Sequence, residues 1–239
     1  MEEMMKILVS DDVSAKGVEL LRRNGYHVDV KTNLDEKDLI MCIGEYDGLI
    51  TRSMTHVTAE VIEAAGKLKI IGRAGVGIDS IDLKAATARG IIVVNAPTSN
   101  TIAATEHTCA MILAVTRHIP QAHDSLMAGE WNREKFTGIQ LKDKTVGIIG
   151  VGRIGSRIAK RMQAMEMKTI GYDPYIPEER GKQLGCELVD LDTLLREADY
   201  ITLHTPLTKE TRGMIGSEEI AKMKKGVRII NVSRGAVLD

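Results

Sequence analysis

The chain has 239 residues, more than one domain usually needs, and 44% of them are apolar, ample for a buried core. A formal net charge of -1 supplies no field to draw nucleic acid or an anionic membrane, and 3% aromatic residues leave no platform for stacking bases. The three cysteines, Cys42, Cys109 and Cys186, are widely spaced and form no CxxC, a usage expected of reduced thiols; no metal is expected.

The opening MEEMMK is acidic and runs into a short strand-like segment, which argues against a secretory leader. No apolar run approaches the roughly 18 residues that a membrane helix needs. These features predict a cytoplasmic protein with neither a membrane nor a nucleic acid as partner.

From Lys6 the sequence alternates. Short β-branched runs, KILVS, HVDV, GLIT, LKIIG and IIVVN, are separated by helical stretches such as AKGVELLRRNG and DLKAATARG. Apolar residues are consecutive in the runs, the pattern of strands covered on both faces. Gly25 and Gly90 close helical stretches as C-terminal stop signals. Five strands with helices between them predict a parallel α/β sheet joined by right-handed crossovers.

Pro97 punctuates the chain, and TIAATEHTCAMILAVTRH follows, apolar or small on nearly every side. That composition predicts a helix buried against something larger than its own domain and ended by Pro120. Within it Glu106 and His107 are adjacent, so they do not face each other, and a capped or buried polar pair is expected there. The alternation then restarts with KTVGIIG, KTIGYD, CELV, YITLHTP and VRIINVS, again with helices between. Residues 1–98 are expected to form one domain and residues 99–239 a second. Lys222, Lys224 and Lys225 fall near a helix C-terminus, where cations favour the dipole, and read as a solvated helix end.

The strongest local signal is VGIIGVGRIGSRIAKRM. Gly150, Gly152 and Gly155 spell GxGxxG directly after an apolar strand and directly before a helix. The first glycine permits a tight turn, the second lets the backbone approach a diphosphate, and the third allows close helix–strand packing. The diphosphate would rest on the free N–H groups of the helix N-terminus. Asp173 ends the next strand near the ~20-residue interval of this fingerprint, placed to accept from ribose hydroxyls and to favour NAD over NADP.

LITRS at 49–53, IIGRAGVGIDSIDL at 70–83, VVNAP, RHIPQA at 117–122, KTVGIIGVGRIG, GYDP at 171–174, HTPLT at 204–208 and NVSRGAVLD together resemble the D-isomer-specific 2-hydroxyacid dehydrogenases. RAGVGID and RHIPQA, with the spacing of Trp131 and Phe136, lean toward members acting on D-3-phosphoglycerate. The resemblance implies two doubly wound parallel-sheet domains: a flavodoxin-like substrate domain and a Rossmann NAD domain. It implies NAD-dependent oxidation of D-3-phosphoglycerate to 3-phosphooxypyruvate, in serine biosynthesis, and a homodimer formed through the NAD domain near residues 101–118.

The same resemblance assigns residues. Gly150, Gly152, Arg153, Ile154 and Gly155 would lie against the diphosphate, and Asp173 against the ribose. His204, Thr205 and Pro206 would border the cofactor, while Val232, Ser233 and Val76 would line the nicotinamide pocket. Arg52, Ser53, Arg73, Gly75 and Asn100 would face the small anionic hydroxy-acid substrate. Arg234 matches the family's catalytic arginine, gripping the substrate carboxylate and 2-oxygen as charge develops there. For Arg52 and Arg73, ordinary surface ion pairing is the competing reading.

The family also supplies a glutamate-tuned histidine as proton donor and acceptor, expected beyond Asp239, with a helix starting after Gly235. On that view both domains are incomplete at their C-terminal ends, and the chain alone turns over little. None of His27, His56, His107, His118, His123 and His204 is expected to substitute. Two alternatives stay open: a glyoxylate or hydroxypyruvate reductase, and a non-catalytic NAD-binding co-repressor.

Overall fold

The computed structural model describes residues 4–239; the first three residues of MEEMMK, on which the leader expectation rests, lie outside the described residues. Backbone contacts divide the chain into a unit ending at Asn100 and a second unit, Thr101–Asp239. Every run read above as a strand is a strand.

In the first unit the elements run β1 (Lys6–Val9), α1 (Ala15–Arg23), β2 (His27–Val30), α2 (Glu36–Ile43), β3 (Gly48–Thr51), α3 (Ala59–Ala64), β4 (Ile70–Arg73), α4 (Leu83–Ala88) and β5 (Ile92–Asn95). All strand pairs are parallel, in the order β2-β1-β3-β4-β5, the flavodoxin-like order. Asp35, Thr58 and Asp82 start α2, α3 and α4 by accepting from the N–H three residues on, which satisfies donors the helix itself leaves open. Leu8, Leu49 and Ile71 point to one face of the sheet, where Leu39, Ile62 and Ala86 pack on them. Val9 and Val28 point to the other, beneath Val18 of α1.

Strand β5 departs from the expectation of two covered faces. Ile92 is 61% exposed, and Val94 and Ile70, the β4 partner of Ile92, are exposed as well. The reason is position: β5 is an edge strand, and a run of apolar residues does not specify what covers it.

The second unit opens on α5 (Thr101–Arg117) and α6 (Ile119–Met127), followed by β6 (Thr145–Ile149), α7 (Gly155–Ala164), β7 (Lys168–Tyr172), α8 (Glu178–Gln183), β8 (Glu187–Leu188), α9 (Leu191–Glu197), β9 (Tyr200–Leu203), α10 (Ser217–Lys222) and β10 (Arg228–Asn231). The parallel sheet has the order β10-β9-β6-β7-β8, which is the Rossmann order, with its switch point between β6 and β9. Tyr200, Ile201, Thr202 and Leu203 of β9 are all buried, as a central strand requires.

Helix α5 is narrower in its burial than its composition suggests. Thr101, Thr105, Thr108, Ile112 and Thr116 form one buried stripe at helical spacing, whereas Ile102, Met111, Val115, Glu106 and His107 are exposed. Threonine tolerates burial here because its hydroxyl bonds its own helix: Thr105 Oγ1 donates to the Thr101 carbonyl at 2.7 Å, and Thr108 to Ala104 at 2.8 Å. The exposed Glu106 and His107 correct the expectation of a capped or buried pair.

Pro120 does not end α5. His118 takes a left-handed conformation, φ 51° and ψ 37°, and breaks the helix before Pro120, which sits in the first turn of α6. Proline is tolerated there because its missing N–H would have had no helical partner. At the other end, Lys222 and Lys224 of the basic cluster pair with Asp192 and Asp199 at 2.9 and 3.1 Å. The helix expected after Gly235 is instead a single 3₁₀ turn, Gly235–Val237, after which Leu238 bridges Ile215 in parallel. Among the described residues no helix is long and apolar enough to cross a membrane.

Candidate functional site

The carboxyl rim of the second sheet gathers the glycine loop and the ends of β7, β9 and β10. Gly150 has φ +92°, and a Cβ there would meet the His204 carbonyl carbon and oxygen at 2.8 Å, so the turn demands glycine twice over. A Cβ on Gly155 would fall inside contact distance of the Gly150 carbonyl oxygen, which makes this glycine a packing requirement of α7. Gly152 is different. Its φ is not in the left-handed region, and a Cβ there would meet nothing within 4 Å among the described residues beyond its chain neighbours.

Helix α7 has no side-chain cap, and the N–H groups of Gly152, Arg153, Ile154 and Gly155 have no acceptor among the described residues. Four donors beside an open glycine suit a diphosphate. A further polar atom is left over at the end of β9: Thr205 Oγ1 is buried without a hydrogen-bond partner among the described residues. Pro206 beside it is exposed. The residues present therefore fit a dinucleotide.

Asp173, at the end of β7, accepts from the N–H of Val151 and of Tyr175, both at 3.0 Å. It is therefore a turn former as well as a ribose candidate, and it ties β7 to the glycine loop. His204 lies at the end of β9 with Nε2 at 2.7 Å from Thr202 Oγ1. Burial depresses its pKa from 6.5 to about 4, so it is neutral near pH 7.

That depression has a sign. The unfolded chain protonates His204 below about pH 6.5, while the folded chain resists until about pH 4. Its contribution to stability is complete above the upper value and falls away between the two. The full gap corresponds to about 3 kcal/mol, and partial solvent contact brings the expected loss to about 1–2 kcal/mol. Urea unfolding at pH 7.5 and 4.5 checks this: His204→Gln should lose less stability than the wild-type chain over that interval. Identical losses would remove His204 from the account.

Beyond β10, Val232, Ser233 and Arg234 are partly buried. Arg234 Nη1 donates to the Ser233 carbonyl at 3.0 Å. The Asn231 side chain braces this turn, with bonds to both Ser233 and Arg234.

In the first unit the singled-out residues also lie past strand C-termini. Arg52 and Ser53 follow β3 and are exposed; Arg52 Nη1 donates to the Asp12 carbonyl at 3.0 Å. Arg73 ends β4 and is 9% exposed. Its guanidinium lies over Gly75, where a Cβ would come within 3.0 Å of Nη1. Asn95 Nδ2 donates to the Val76 carbonyl at 2.7 Å, and Asn100 is exposed at the end of the unit.

The sequence reading passed over three residues that shape these loops: Asn231, Thr202 and Asp11. Asp11, 5% exposed, follows β1 at the switch point of the first sheet. Its carboxylate accepts from the Arg52 N–H, from Thr51 Oγ1 at 3.0 Å and from the Thr55 N–H at 3.3 Å. Burial raises its pKa, but these bonds outweigh burial and hold it below the usual carboxylate value.

Rossmann strand order, the open glycine and the uncapped helix define an α/β dinucleotide-binding protein. Residues 109–239 match the model of the D-isomer specific 2-hydroxyacid dehydrogenase NAD binding domain, and the chain belongs to that family. It is similar to D-3-phosphoglycerate dehydrogenase of Archaeoglobus fulgidus, 51% identical over 235 residues, which cover 98% of this chain and 45% of that protein. The chain thus spans less than half the length of that relative. Among solved structures it resembles a Thermus thermophilus protein, with a TM-score of 0.90 at 34% identity, covering 98% of this chain and 76% of the other. It also resembles NAD+-bound 3-phosphoglycerate dehydrogenase of Entamoeba histolytica, with a TM-score of 0.83 at 33% identity, covering 99% of this chain and 74% of the other.

Proposed function

We propose that the chain carries the cofactor- and substrate-binding parts of an NAD-dependent dehydrogenase that oxidises D-3-phosphoglycerate to 3-phosphooxypyruvate, in serine biosynthesis. The observation that carries this reading is Arg234 at the end of β10, on the same carboxyl rim as the uncapped glycine loop. Bound NAD supplies a hydride acceptor. Arg234 is assigned to the substrate carboxylate and 2-oxygen, where a planar guanidinium offers paired donors. The 2-oxygen would then build up charge beside a fixed cation. His204, neutral and bonded to Thr202, is assigned to lining the cofactor and not to moving the substrate proton.

The choice of substrate is supported by the 51% identical Archaeoglobus protein. Arg52, Ser53, Arg73, Gly75 and Asn100 are assigned to the substrate and its anionic tail. Calorimetric titration of the NADH-loaded chain with D-3-phosphoglycerate and with D-glycerate tests the assignment. The phosphorylated acid should bind about tenfold tighter or more, and Arg52→Ala should erase most of that margin. Equal binding of the two acids would instead favour a glyoxylate or hydroxypyruvate reductase.

The chain is further assigned a homodimer through its second unit. Exposed Ile102, Met111 and Val115 on α5 support this, with Ile119, Leu126 and Met127 on α6. Light scattering that finds a monomer at micromolar concentration would refute it.

A further inference from the structure

Arg234 owes its placement to a neighbour. Its own backbone is extended, φ -135° and ψ 130°, so no regular element holds it between the end of β10 and the 3₁₀ turn. The Asn231 carboxamide fills that role. Its Oδ1 accepts from the Ser233 N–H at 3.0 Å and from the Ser233 hydroxyl at 2.9 Å. Its Nδ2 donates to the Arg234 carbonyl at 2.9 Å, an oxygen that also accepts from the Val237 N–H at 3.1 Å. One side chain therefore ties the strand end, the serine and the arginine to the turn beyond.

The chemistry narrows the residue type. A carboxamide both accepts and donates from one planar group, whereas a carboxylate would keep the Ser233 bonds and set an oxygen against the Arg234 carbonyl. We infer that Asn231 is the positioning residue of Arg234: it fixes the direction in which the guanidinium leaves the sheet and acts on a substrate carboxylate through that arginine alone. The inference rests on the functional reading above.

A double-mutant cycle separates this role from general support of the fold. Oxalate is the carboxylate probe, titrated into the NADH-loaded chain by calorimetry, with NADH affinity measured in parallel. Asn231→Ala should weaken oxalate about tenfold and NADH less, since NADH is held mainly at the glycine loop. In an Arg234→Ala background the same substitution should cause no further loss of oxalate. Asn231→Asp, which retains both Ser233 bonds, runs the same cycle should the alanine variant not fold.

Equal oxalate affinity in the wild-type and Asn231 variants would overturn the inference. So would a loss that persists without Arg234, or an equal loss of NADH. A wild-type chain that binds neither NADH nor oxalate would overturn the functional reading itself, a distinct result.

Discussion

Gly152→Val is expected to weaken NADH binding by about a hundredfold or more while leaving stability within about 0.5 kcal/mol of the wild-type chain. The separation follows from what surrounds this glycine. Among the described residues, its chain neighbours aside, nothing lies within 4 Å of the position its Cβ would take, and its φ is not left-handed, so the fold makes no demand for glycine. The same open space is where a diphosphate would have to approach the N–H groups of Arg153, Ile154 and Gly155. A branched side chain fills it. NADH titration beside urea unfolding of the same sample checks the pair of outcomes. An unchanged affinity would move the cofactor away from this loop, and an equal fall in stability would make Gly152 a structural glycine.

Gly155→Ala should do the reverse, costing about 3 kcal/mol of stability or more before any ligand is added. The added methyl meets the Gly150 carbonyl oxygen, which is backbone and cannot swing aside. Gly150 is itself pinned, because its N–H donates to the Tyr172 carbonyl at 2.8 Å and its own side crowds His204. Either α7 moves off the sheet or the loop opens. For a unit of this size the thermal midpoint should fall by roughly 6–12 °C. A drop of less than about 2 °C would show that the contact relaxes freely.

These two glycines belong to one motif that was legible in the sequence, down to their unlike roles of backbone approach and helix packing, but the size of each demand was not. The fingerprint names the roles; the structure weighs them by what a Cβ would touch. Strands were legible for a simple reason, since buried parallel strands are written as unbroken β-branched runs such as TVGII and YITL. Coverage was not, because Ile92 and Val94 of β5 look as apolar as Ile148 and are exposed nonetheless. The break at His118 was hidden as well, since its left-handed backbone carries no residue signature comparable to glycine.

Arg234 and Asp173 stood out because each ends an apolar run. Asp11 did not, since its role arises from loops some forty residues away that only folding brings to it. Asn231 had a readable signal that was missed: an asparagine two residues before a serine, at a strand end, is the pattern of a side chain closing a turn on its own backbone.

The buried Asp11 carboxylate bears on the whole first unit. In sheets of this order the switch point is where a ligand is usually received. Here the chain's own carboxylate occupies that end and bonds Thr51, Arg52 and Thr55, so the loop carrying Arg52 and Ser53 is preorganised by a covalently attached counterpart. Its ordering entropy is settled when the chain folds, and a substrate received there, as proposed above, would have no part of that cost to bear.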